Sequence, residues 1–159
     1  MEVYLLNFIK SLLDDSIKQN REEDKKLSLA TPVYALLIEV AKSDQDFSED
    51  EKKHIDTMCT RYFKLSPAEL VDVEASAKRE LEQAVDLYHL TKDIRQNFSV
   101  EERTEILEMI WTIVYTDGKI DPYEEQLTRR LCDLIGLQHQ HYMQAKKSAS
   151  QKEKIDESF

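Results

Sequence analysis

IVYTDGKIDPYEEQLTRRLC, Ile113–Cys132, holds the end of an apolar stripe, a glycine-bearing turn rich in carboxylates, and the start of a new helix. Asp121 and Glu124 have the three-residue spacing of a capping box. The same order of features occurs 73 residues earlier, in VAKSDQDFSEDEKKHIDTMC, Val40–Cys59. Asp44 then matches Asp117, Ser48 matches Asp121, Glu51 matches Glu124 and Cys59 matches Cys132. Each copy reads as a helix, a carboxylate-bearing turn and a boxed helix. Two such copies predict a pseudo-symmetric pair of helical hairpins rather than a solenoid.

Outward from these hairpins, every signal is helical. Val3, Leu6, Ile9, Leu13 and Ile17 follow spacings of three and four, which predicts an amphipathic helix over residues 1–20. REEDKK, Arg21–Lys26, then reads as a solvated connection. Thr31 as N-cap and Pro32 at the first helical position predict a second helix, with Val33, Leu36, Leu37, Val40 and Ala41 as its apolar stripe. Ser48 with Glu51, Ser66 with Glu69, and Ser99 with Glu102 are further capping boxes, and Asp86–Phe98 supplies one more amphipathic stretch. Gly136 stands where a helix ends in a left-handed residue, and a short last helix holds Tyr142 and Met143. Lys146–Phe159 has almost no apolar content and is expected to be a tail without structure. The prediction is all-α: one globular domain of about seven or eight helices over residues 28–145, containing two repeated helix-turn-helix units.

Composition agrees. The 159 residues include only two glycines and three prolines, with 41% hydrophobic and 34% charged residues, a balance suited to helices around one core. A net charge of −10 argues against nucleic acid and anionic membrane surfaces, and for cations or basic protein surfaces as partners. No apolar run approaches the length of a membrane span, and Glu2 and Lys10 spoil a signal peptide, so a cytoplasmic location is expected. Cys59 and Cys132 make no disulfide framework and read as reduced thiols.

LLIEVAKSDQDFSEDEKKHI (36–55), YFKLSPAEL (62–70) and EERTEILEMIWTIVYTDGKIDPYEEQLTRRLCDLIGL (101–137) resemble the TerB-like, tellurite-resistance-associated family, and are similar to the N-terminal domain of the membrane-anchored DnaJ-like co-chaperone DjlA. The likeness spans roughly Thr31–Met143, and the second copy keeps the family's A-x-x-D-G pattern better. The first departs from it, with Gln45 where the family has glycine. The resemblance implies an all-helical fold, no established catalysis, and an acidic metal-binding role tied to stress responses at the cell envelope.

The turns can also be read physically. Asp117 follows Ile110 and Val114 along one helical stripe, and Asp44 follows Leu37 and Val40, so both carboxylates sit at helix C-termini. That end of the macrodipole is negative, a placement unfavourable by about 0.3–1 kcal/mol. Two compensations are open. Each carboxylate could accept hydrogen bonds from its own turn and face the start of the next helix, leaving a metal-free adaptor or scaffold. Alternatively Asp44, Glu51, Asp117 and Glu124, with Asp121 nearby, could hold a divalent cation; oxygen ligands suit Ca²⁺ or Mg²⁺. An EF-hand is excluded, because placing Glu124 at position 12 puts Ile113 and Tyr115 at positions 1 and 3. Cys132 with His139 and His141 lacks zinc spacing, and no nucleophile with an orienting partner or phosphate-cradling loop is evident, so a non-enzymatic module with a protein partner is expected.

Overall fold

Helix α1 (Glu2–Lys42) is the longest element and the organising one. In the computed structural model, which describes residues 1–43, 47–83, 86–115 and 121–157 and side chains as far as Lys152, almost every residue from Ala30 to Ala41 is buried. A stretch buried all round is the signature of a central helix, and α2 (Glu49–Phe63), α3 (Pro67–Gln83), α4 (Leu87–Asn97) and α5 (Val100–Val114) all pack on it. Helices α6 (Pro122–Leu134) and α7 (His139–Glu157) then pack on α5, with α6 also touching α4. The described residues contain no strand, and the fold is the expected all-α one. The two hairpins, α1–α2 and α5–α6, meet through α1 and α5.

Two expectations are corrected. The helices predicted at 1–20 and from Pro32 are one helix, and Arg21–Lys26 is helical rather than a connection. Pro32 removes the amide that would reach the Ser28 carbonyl, but Ser28 is exposed and water can serve that oxygen. Thr31, read as an N-cap, instead donates its hydroxyl back to the Leu27 carbonyl at 2.7 Å. Lys26 fastens this stretch to the body, pairing with Glu69 at 2.8 Å and donating to the Lys64 carbonyl at 3.1 Å. Second, the polar segment from Lys146 is helical as far as Glu157. Ala145 and Ala149, one turn apart, are buried where α7 lies on α5, and Lys152 pairs with Glu108. Two small side chains allow close helix contact without the large apolar residues that sequence patterns register.

The first helical stripe also faces differently than its amphipathicity suggests. Val3, Leu6, Ile9, Leu13 and Ile17 are all exposed, and residues 1–25 form an arm beyond the core.

Helix ends follow their signals closely. Ser66 and Glu69 exchange both capping-box bonds, at 2.9 and 3.1 Å, as do Ser99 and Glu102. Gly136 adopts φ +74°, with Leu137 N–H reaching Cys132 O and Gly136 N–H reaching Asp133 O, both at 3.0 Å, a Schellman ending. Lys64 closes α2 in the same left-handed region at φ 54° without being glycine. A side chain there costs about 1 kcal/mol, so Lys64→Gly should raise stability by about 0.5–1 kcal/mol in a urea melt. The Lys26 contact uses the Lys64 backbone and survives the change.

Candidate functional site

Of the five carboxylates predicted to form a site, Asp44 and Asp117 lie outside the described residues. Glu51, Asp121 and Glu124 can be placed. Ser48 caps α2 by accepting from the Glu51 amide at 3.2 Å, which sets half-buried Glu51 in the first turn. Asp121 caps α6, but its Oδ1 accepts from Tyr123 N–H at 3.1 Å, one residue short of the Glu124 amide that the box spacing predicts. Glu124 is half-buried one turn in, its carbonyl taken by the Thr128 hydroxyl at 2.8 Å. Helix α2 packs on α1 and α5, whereas α6 packs on α5 and α4. Among the described residues no three His, Cys, Asp or Glu side chains come together as a metal-binding group.

The two turns differ in what precedes them. Helix α1 ends in Lys42, a cation at the negative end of its dipole, one residue before the C-cap Ser43 that Asp44 follows. Helix α5 has no basic residue in its last turn, and Asp117 comes two positions after its C-cap Tyr115. Ile113 is buried within α5, so the first positions of any EF-hand register are helix and not loop.

At the end of α5 an aromatic cluster reaches across to α7. Trp111 is fully buried, its ring centroid 5.4 Å from Tyr115 and 5.2 Å from Tyr142 of α7. Arg129 of α6 sits 5.0 Å from the Tyr142 ring centre, and Lys146 sits 5.4 Å from that of Trp111. Glu125 is 3.3 Å from Arg129 and 3.8 Å from Lys146, which ties the start of α6 to α7. The residues after α5 are thus followed by a helix whose first turn is already held by charge. Tyr123 is exposed. Periodicity could place Trp111 in the core but could not show α7 reaching it, because α7 carries few apolar residues.

A groove of about 860 Å³ opens between α2 and α5, lined by Lys53, His54, Arg61, Tyr62, Glu105 and Glu108 among others. Its charges are mixed. His54 occupies an ordinary position within α2.

Neither cysteine is poised as a nucleophile. Burial pushes the Cys59 thiol up to about 12, with Asp56 adding to it, and pushes Cys132 up to about 11, with Asp133 adding to it. A nucleophilic cysteine needs the opposite shift. Both thiols should therefore resist a chromogenic disulfide reagent at pH 8 in the native protein, at less than about a tenth of the rate in guanidinium, where both should react. Because the folded-state values are raised, the stability tied to keeping these thiols neutral is present below pH 9. It is lost as pH rises from there toward 11 to 12.

A protein-family model described as Tellurite resistance protein TerB matches residues 30–147. No curated protein and no solved structure matches the chain.

Proposed function

The chain belongs to the tellurite resistance protein TerB family, and on that premise we propose that it is a non-enzymatic helical module whose paired acidic turns hold a divalent cation and which acts through a protein partner in an envelope stress response. The observation that carries the cation reading is the end of α5, where no basic residue in the last turn offsets the helix dipole before Asp117. Glu51 and Glu124, each half-buried in the first turn of the following helix, supply further oxygen donors near the two turns. Hard oxygen ligands favour Ca²⁺ or Mg²⁺ over softer metals. Raised thiol pKa values and the absence of zinc spacing support a non-catalytic role.

One observation favours a second reading, in which the turns are structural and the module is a metal-free adaptor. Asp121 already spends an oxygen on its own helix start, 3.1 Å from the Tyr123 amide. Thermal melts with Ca²⁺, Mg²⁺, Mn²⁺ or Zn²⁺ separate the two, because an ion that binds only the native state raises the melting temperature. The expected result is a rise with Ca²⁺ or Mg²⁺ that Asp117→Asn and Asp44→Asn abolish. If no ion shifts the melt while both Asn variants are destabilised, the turns are structural.

A further inference from the structure

Most of the large exposed apolar side chains among the described residues lie on the arm of α1. Leu5, Leu6, Ile9, Leu12, Leu13 and Ile17 share one side of the helix at spacings of three and four, and each is 44–65% exposed. Asp14, Asp15 and Lys18 lie away from that side and Lys10 flanks it, while Val3, Tyr4 and Phe8 add exposed apolar surface off it in the first turns. We propose that this face pairs with the same face of a second copy of the chain, so that the protein self-associates through its arms. The proposal does not depend on cation binding at the turns.

Four observations single out a second copy. The six side chains leave on the order of 600 Å² of apolar surface on each arm, so two arms joined face to face approach the roughly 1,200 Å² at which specific interfaces begin. The arm cannot turn back on its own body, because the helix is unbroken through Pro32 and Lys26 pins it to Glu69 and the Lys64 carbonyl. Nor does the body of another copy offer a matching surface. Outside the arm, the large exposed apolar side chains among the described residues, Val71, Tyr88, Val100, Tyr123 and Met143, each stand on a different helix.

Charge completes the case. An interfacial helix that binds anionic lipid carries a basic polar face, whereas this one sets two lysines against two aspartates in a chain of net charge −10. The same charge opposes close approach of two bodies. However, the apolar face ends at Ile17 and the core begins at Ala30, about 20 Å further along the helix, or roughly two Debye lengths at physiological salt. The arms can meet while the bodies remain screened from one another. Residues 1–29 also precede the region that the family model matches, so this pairing is a property of the extension and not of the domain.

Sedimentation velocity of the full chain, from about 1 to about 100 µM, tests the proposal. Wild type should sediment as a dimer or a multiple of it, and should keep that state in about 1 M salt because the contact is apolar. The double variant Leu6→Glu, Leu13→Glu should be monomeric with an unchanged melting temperature, since both positions are exposed. A Leu6→Met, Leu13→Met control should still associate. Wild type that stays monomeric at the highest concentration, or a Glu variant that keeps the wild-type mass, would overturn the proposal. So would a monomer that floats with phosphatidylcholine vesicles, which would make lipid the occupant.

Discussion

Replacing Trp111 with alanine is expected to cost about 3–5 kcal/mol, a large share of the roughly 5–15 kcal/mol that holds a domain of this size together. Trp111 is fully buried and is the largest such side chain. It joins α5 to α7 by an edge contact with Tyr142, touches Tyr115 at the end of its own helix, and is capped by the Lys146 ammonium. Alanine would leave a cavity bounded by two helices that are themselves pinned, so little of it can collapse. Trp111→Phe separates the ring from its polar atom. The indole Nε1 has no hydrogen-bond partner among the described residues, so phenylalanine keeps most of the packing and removes an unsatisfied donor, for a cost of about 1 kcal/mol. Urea unfolding followed by far-ultraviolet circular dichroism measures both, and an alanine variant costing less than about 1 kcal/mol would show that α7 does not depend on this residue.

The second large effect is expected at Arg103. Its Nε donates to the Phe98 carbonyl at 3.1 Å and the Ser99 carbonyl at 3.3 Å, while Nη1 donates to Ile135 at 2.7 Å and Gly136 at 3.2 Å. One guanidinium therefore serves the C-termini of both α4 and α6, where helix carbonyls lack intrahelical partners, and also reaches the start of α5. Charge-assisted bonds of this kind contribute about 1.5–3 kcal/mol, and Arg103→Ala should lose about 2–3 kcal/mol. Arg103→Lys keeps the charge but not the fork, and should recover less than half of the loss. The same contact explains Gly136 beyond its φ of +74°, because a Cβ there would meet Arg103 Nη1 at 2.7 Å. Gly136→Ala should consequently be less damaging in an Arg103→Ala background than in wild type, a coupling that a double-mutant cycle reads directly.

Capping signals carried most of what could be read from the chain. Ser66 with Glu69 and Ser99 with Glu102 act within a few residues, so their spacing determines their bonds and the structure matches them. The paired motifs around Asp44 and Asp117 likewise announced two hairpins, which α1–α2 and α5–α6 form. Local rules failed where distant packing decided the outcome. Pro32 reads as a helix start, yet the burial of Ala30 to Ala41 on both sides of it and the Lys26–Glu69 pair hold the helix straight through the position. In α7, Ala145 and Ala149 do the packing, and neither looks like a core residue in a polar context. The exposed stripe of the arm is the converse case: amphipathicity shows that a face needs covering, but not that the cover lies in the same chain.

Of the candidate site, the chain positions of the carboxylates can be read from the sequence, but not their geometry. Chain positions show acidic residues at the ends of two helices, but not which oxygen each turn consumes; Asp121 bonding to Tyr123 instead of Glu124 is one such detail. Glu125 and Arg129 have helical i,i+4 spacing, but Lys146, which joins them in bracing α6 against α7, stands on another helix well beyond them and carries no motif.

Calorimetric titration of Ca²⁺ and Mg²⁺ into the full chain, in parallel with the Asp44→Asn, Asp117→Asn double variant, most directly tests whether the acidic turns hold a cation. Saturable binding at a fixed stoichiometry in wild type, lost in a double variant that remains folded, is the predicted result. Wild type that takes up neither ion, or a double variant that binds as wild type does, would contradict it.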